Sequence, residues 1–145
     1  YLDNAMVKKD VLSVAGQPIN LERITQPVYA VGAEDDHIAP WRQTYRIHNY
    51  VSGPKRNVLS SSGHIFGIVN PPVNPPKREY WVGPAERHFS TEAWKERAEH
   101  HSGSWWEDWM AWLKPMAGEP GGPPAVTSEK YPALADAPGT YVLES

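Results

Sequence analysis

No cysteine occurs in the 145 residues, which excludes disulfides, thiolate metal sites and a thiol nucleophile within the chain and leaves the redox compartment unread. Positive charge is sparse and scattered: 14 Lys and Arg against 17 Asp and Glu give a formal net charge of -3. Without a basic patch there is no electrostatic footprint for nucleic acid or for an anionic membrane surface. No apolar run approaches the roughly 18 residues of a membrane span, and no charged-then-apolar leader opens the chain. A soluble, not transmembrane, protein is expected. The first residue is Tyr1 instead of Met, from which we expect a piece of a longer polypeptide.

Aromatic and turn-forming residues are plentiful. Hydrophobic residues make up 40% of the chain and include seven Trp and seven Tyr, enough for one modest domain with a core. The 15 Pro and 11 Gly gather in "NPPVNPPK" and "AGEPGGPP", so long irregular connections are expected around a smaller ordered centre. A turn signal at Gly16 to Pro18 between short apolar runs suits a small hairpin within Leu12 to Leu21. Pro27 to Gly32 is a short, nearly continuous apolar run, the pattern of a strand covered on both faces in a parallel sheet. Pro40 then sets a helical first turn, and Trp41, Tyr45, His48 and Val51 follow at helical spacing until "SGP". The scheme repeats with a second strand over Arg56 to Leu59, an "SSG" turn, and a short helix in "HIFGIV" ended by Pro71 and Pro72. Two strand–loop–helix units in succession point to an α/β fold. In open parallel sheets, ligands gather at the carboxyl ends of the strands, where both Asp36 and His64 fall.

Further along, Ser90 or Thr91 caps a helix expected to run to about His100 and to be mostly solvated. Ser104 with Glu107 forms a capping-box pattern, and Trp105, Trp109, Trp112 and Leu113 make an apolar stripe that Pro115 ends. That stripe is read as core packed against the sheet rather than as a ligand-stacking surface, with Trp106 left exposed to meet a partner. Residues 118–145 read as a Pro/Gly-rich linker and C-terminal tail, with a short strand expected in "PGTYVLE", and residues 1–117 as the part that carries the chemistry.

"EDDHIAPW" places acid and histidine at the exit of the first strand, and "SSGHIFG" places a histidine at the exit of the second. In α/β-hydrolases the acid follows one strand and the histidine a later one, in chain order nucleophile, acid, base. Asp36 and His64 stand in that order. An aspartate accepting the Nδ1 proton would fix the ring's tautomer and stabilise the imidazolium formed when Nε2 takes a proton from a nucleophile. Gly63 is expected to supply the sharp turn that presents His64. The nucleophile itself is missing: there is no G-x-S-x-G, and Ser60 to Ser62 abut His64 without the elbow glycines. It is expected upstream. His37 is read as structural, because the triad needs one imidazole, and His100 with His101 as adjacent residues at a helix end that cannot share a metal.

"EDDHIAPW", "SSGHIFGIVNPP" and "HHSGSWWEDWMAWL" resemble, in order, the last three signature blocks of class I polyhydroxyalkanoate (poly-3-hydroxybutyrate) synthases, and "PGTYVLE" resembles their C-terminal end. The resemblance implies the C-terminal portion of an α/β-hydrolase fold, incomplete as given, with parallel strands and helices packed on the sheet. It implies an acyltransferase that polymerises (R)-3-hydroxyacyl-CoA into polyester with release of CoA, through a Cys-His-Asp set whose cysteine lies in an upstream box. By the same resemblance Asp36 matches the catalytic aspartate, His64 the catalytic histidine and His37 a second histidine. Acyl-CoA is then substrate, no cofactor is required, and the partners are the growing polyester chain, a second subunit and the cytoplasmic granule surface with its associated proteins. Glu34 and Asp35 stand where the family often has Arg-Glu, so Asp35 competes with Asp36 as acid, and Phe66 replaces a small residue beside the acyl pocket. Whether Asp36 acts on the acyl hydroxyl itself or through His64 is left open, with the lean toward His64. The chain alone is expected to be inactive and poorly soluble. The rival readings are an esterase or polyester depolymerase of the same fold and a non-catalytic polymer-binding module.

Overall fold

The computed structural model describes residues 2–144. A two-residue hairpin, β1 (Ser13–Val14) with β2 (Gln17–Pro18), precedes the main sheet. That sheet holds β3 (Val28–Ala33), β4 (Lys55–Ser60), β5 (Glu79–Pro84) and β6 (Glu99–Ser102) in the order β3-β4-β5-β6. The helices are α1 (Trp41–Thr44), which tightens into a 3-10 segment over Tyr45–Asn49, then α2 (Thr91–Arg97) and α3 (Trp105–Ala117). Among the described residues, no helix is long and apolar enough to cross a membrane.

Only the first pair of the sheet is parallel: β3 and β4 run in register from Val28 opposite Lys55 to Ala33 opposite Ser60. β5 and β6 are antiparallel additions, so the all-parallel expectation is corrected to a mixed sheet flanked by helices. β4 is its centre. Val58 and Leu59 are each 0% exposed because alternate residues face opposite sides and both sides are covered. Leu59 joins Trp41, Tyr45, Ala85 and Trp94 under α1 and α2, while Val58 joins Tyr80, Val82 and Trp105 under α3. Full burial of a side chain of this size is worth roughly 1.5–3 kcal/mol.

Several expectations are corrected in detail. α2 ends at Arg97 because Ala98 turns extended, with ψ 144°, so His100 and His101 lie in β6 and not at a helix end. There they stack on Trp81 and Tyr80, with ring centroids 4.7 and 5.2 Å apart. α2 is also not simply solvated, since Trp94 is buried and its indole N–H donates to the Pro84 carbonyl at 3.1 Å. Pro115 does not stop α3, which continues to Ala117; a proline in the last turn sacrifices one backbone bond near an end that frays anyway. Trp109 of the stripe is turned outward and Trp106 packs inward in its place. "HIFGIV" forms consecutive turns, and Tyr141–Leu143 form a 3-10 turn in place of the expected strand.

Candidate functional site

β3 and β4 end side by side, and their pairing continues past the strands: Glu34 N–H donates to Ser60 O at 2.8 Å and Asp35 N–H to Ser62 O at 3.0 Å. The two loops that follow are therefore held together from their first residues. On the β3 side the chain turns back, with Asp36 N–H donating to Ala33 O at 3.2 Å. Asp36 then closes a local loop of its own, its Oδ1 accepting from the backbone N–H groups of Ile38 at 2.9 Å and Ala39 at 2.8 Å. This use of an aspartate to satisfy nearby amides is the ordinary chemistry of Asx turns.

The other carboxylate oxygen remains for His64. Asp36 Oδ2 stands 2.8 Å from His64 Nδ1. Asp36 is 8% exposed, whereas the His64 side chain is 47% exposed and its Nε2 has no protein partner among the described residues. The Ala39 N–H holds the Asp36 carboxyl below its usual range; burial works against this, and His64 and the Ile38 N–H add to it. An ionised Asp36 fixes the proton on Nδ1 and leaves Nε2 as the free, solvent-facing acceptor. Such a pair can move a proton to or from a group placed against Nε2.

On the β4 side the turn that delivers His64 is made by Ser62 at φ 80°, not by Gly63. The left-handed conformation is uncommon for a residue with a side chain, so the expectation that Gly63 makes the turn is corrected. In this loop Gly67, not Gly63, has a packing reason: a Cβ there would collide with the Ala33 side chain and fall 2.9 Å from Gly63 O. The loop after His64 thus presses against the end of β3.

The structure does not bring the remaining candidates into this pair. Asp35 and His37 are exposed and away from the His64 contact. Ser60 is buried and donates to Ser61 O, while Ser61 Oγ accepts from Glu79 N–H. Both hydroxyls are spent on backbone. Phe66 is 61% exposed, with Arg78 5.4 Å from its ring centre; Ile38 and Ile65 are exposed beside the pair as well. A groove of about 450 Å³ lies nearby between Glu34, Trp41, Trp81 and Lys95 and has neither Asp36 nor His64 in its wall. Among the described residues no three His, Asp or Glu side chains are grouped to hold a metal.

No protein-family model matches the chain. It is 39% identical over 145 residues to poly(3-hydroxyalkanoate) polymerase 1 of Ectopseudomonas oleovorans, an alignment that takes in 99% of the chain and 26% of the relative. Against the poly(3-hydroxyalkanoate) polymerase subunit PhaC of Cupriavidus necator the identity is 40% over 143 residues, 98% of the chain and 24% of the relative. The chain is homologous to poly(3-hydroxyalkanoate) polymerases. The poly(3-hydroxyalkanoate) polymerase of Methylorubrum extorquens is also similar, at 36% over 145 residues, 98% of the chain and 23% of the relative. The chain spans about a quarter of the length of these relatives. Matches at 34 to 40% identity single out no subgroup.

Two features of the site were not read from the sequence. Trp105 and Trp106 bond to the loop after His64, and Lys95 of α2 reaches across to Glu34 at the exit of β3. Neither had a local signal, because the partners are 38 and 61 residues apart.

Proposed function

We infer that the chain is the C-terminal part of the catalytic domain of a class I polyester synthase of the α/β-hydrolase kind. Residues 1–117 carry the His-Asp half of the site, and residues 118–145 form a linker and tail. The full protein polymerises (R)-3-hydroxyacyl-CoA, with 3-hydroxybutyryl-CoA the first substrate to test, and releases CoA. The observation that carries this reading is the 2.8 Å contact between His64 Nδ1 and Asp36 Oδ2 at the adjoining ends of β3 and β4, within a chain whose length aligns with polymerases.

The nucleophile is a cysteine upstream of residue 1. His64 Nε2 takes its proton, the thiolate attacks the thioester carbonyl, the carbon–sulfur bond to CoA breaks, and the departing CoA thiolate takes the proton back. For elongation, His64 accepts the proton of a 3-hydroxyl group, the new ester bond forms, and cysteine leaves from the acyl carbon. His64 is preferred over Asp36 as the direct acceptor because Asp36 is held below the usual carboxylate range, which makes it a poor base toward an alcohol. Asp36 acts through the ring. The class rests on the sequence blocks. A homodimer at the surface of cytoplasmic polyester granules fits the same reading, with the growing polymer and granule proteins as partners.

The test is CoA release from (R)-3-hydroxybutyryl-CoA by the full-length protein, with product analysis, beside Asp36→Ala and His64→Ala. Polymer from the parent and loss of CoA release in both variants support the synthase. Free 3-hydroxybutyrate in place of polymer replaces it with a hydrolase, and activity untouched by both substitutions removes the catalytic pair.

A further inference from the structure

The loop from Gly63 to Asn70 carries His64, yet it contains no regular element. Its own bonds are two helical-type contacts, Gly67 N–H to Gly63 O at 2.8 Å and Val69 N–H to Ile65 O at 2.7 Å, and one shorter turn, Ile68 N–H to Ile65 O at 3.1 Å. What fixes its far end comes from elsewhere. Three consecutive residues at the start of α3 donate side-chain hydrogen bonds to its carbonyls. Ser104 Oγ bonds Asn70 O, Trp105 Nε1–H bonds Gly67 O at 3.0 Å, and Trp106 Nε1–H bonds Ile68 O at 3.1 Å. Ser104 Oγ also accepts from Trp106 N–H at 3.1 Å, so the same hydroxyl caps the helix and ties it to the loop.

α3 is in turn fixed to the sheet. Asp108, one turn along, takes Tyr29 Oη of β3 at 2.7 Å and the Nε of Arg56 of β4 at 2.9 Å on Oδ2, and a second Arg56 nitrogen bonds its Oδ1. Burial opposes ionisation of Asp108, but Arg56 and Tyr29 overcome it and keep the carboxyl below its usual range. Tyr29 also packs on Trp105 and Trp112, with ring centroids 6.3 and 5.1 Å away. The strands that carry Asp36 and His64 therefore also carry, through Tyr29, Arg56 and Asp108, the helix that grips the loop after His64.

We propose that Trp105 and Trp106 are positioning residues for His64: their indole N–H groups, braced on the sheet through Asp108, hold the Gly67 and Ile68 carbonyls so that the imidazole stays against Asp36 with Nε2 presented to the nucleophile. The proposal rests on the catalytic reading of His64 given above. Asp36 holds one side of the ring and Gly67 seats the loop on Ala33, but neither restrains the loop beyond Gly67. A catalytic base displaced by about 1 Å can lose on the order of a hundredfold in rate, so two indole bonds at that end have a kinetic consequence beyond stability. Trp106 is the better residue to test, being half-buried where Trp105 is buried.

The experiment is stopped-flow CoA release from (R)-3-hydroxybutyryl-CoA by the full-length protein, compared with Trp106→Phe, which keeps an aromatic ring and removes the N–H. Trp109→Phe is the control, since Trp109 lies against Trp105 and is exposed. Positioning predicts a burst rate constant lowered roughly ten- to a hundredfold in Trp106→Phe, with burst amplitude and KM at the parent's values and Trp109→Phe unchanged. A merely structural role lowers the amplitude, by removing active molecules, and leaves the rate of the remainder intact. That result, or an unaltered rate, overturns the proposal while leaving the synthase reading in place. A parent that releases no CoA overturns both.

Discussion

Replacing Asp36 by Asn changes one atom and tests the site's logic. In the parent, Oδ1 accepts two backbone N–H groups, from Ile38 and Ala39, and Oδ2 faces His64 Nδ1. An asparagine can satisfy those amides only with its carbonyl oxygen, because its NH₂ cannot accept a hydrogen bond. The NH₂ is then aimed at His64 Nδ1, which must accept, so the ring proton moves to Nε2. That tautomer cannot act as a base at Nε2. An aspartate-to-asparagine exchange of this kind in the worked protease triad lowers kcat about 10⁴-fold, and we expect a loss on the order of 10³–10⁴ here. Asp36→Ala, which removes the support but dictates no tautomer, is expected to lose no more. The assay is CoA release by the full-length protein with a thiol-reactive chromophore, beside a thermal melt to show that both variants are folded. An Asp36→Asn variant within tenfold of the parent would refute the tautomer argument and return Asp36 to a purely electrostatic part.

Three further outcomes follow from the packing. His48 is 0% exposed, with Nε2 3.0 Å from Asn57 Oδ1, and burial pushes its pKa below the ordinary 6.5. Above pH 6.5 both folded and unfolded chains hold it neutral; below, the unfolded chain takes up a proton that the folded chain resists. Stability therefore falls as pH drops from 6.5, by up to about 1.4 kcal/mol per pH unit for one proton, and denaturant midpoints for His48→Gln between pH 5 and 7 are expected to lose that component. Asp108→Ala strands the Tyr29 hydroxyl and the Arg56 guanidinium, so a loss of about 1–3 kcal/mol is expected, read as a lowered urea midpoint; an unchanged midpoint contradicts the bracing role. Gly67→Ala drives a methyl into the Ala33 side chain, and an overpacking cost of about 1–3 kcal/mol is expected together with a sharp fall in CoA release.

The pairing of Asp36 with His64 was more legible in the sequence than the sheet that positions it. Asp36 and His64 could be picked out because each follows a short apolar run, and strand exits are where such groups gather. The two runs became β3 and β4, paired in parallel. β5 is masked in the sequence although "EYWVG" is rich in strand-forming residues, because it sits between a proline-rich stretch and a helix cap. β6 had no signal at all: "EHHS" is exposed along its length and is a strand only because it pairs with β5. The Gly63 turn misled for a related reason. A glycine beside a histidine invites the conformational argument, yet the ties of Asp35 N–H to Ser62 O and Glu34 N–H to Ser60 O place the sharp turn at Ser62. The indole bonds to Gly67 and Ile68 depend on contacts made across the sheet and could not be read from local pattern.

A covalent adduct tests most directly whether Asp36 and His64 serve a thiol outside these residues. The full-length protein is mixed with (R)-3-hydroxybutyryl-CoA, quenched in acid within the burst, digested and mapped by mass spectrometry. An acyl thioester is expected on a cysteine upstream of Tyr1, formed by the parent and strongly slowed in His64→Ala. An adduct on a serine, an adduct within residues 1–145, or one that forms equally fast without the imidazole would contradict it.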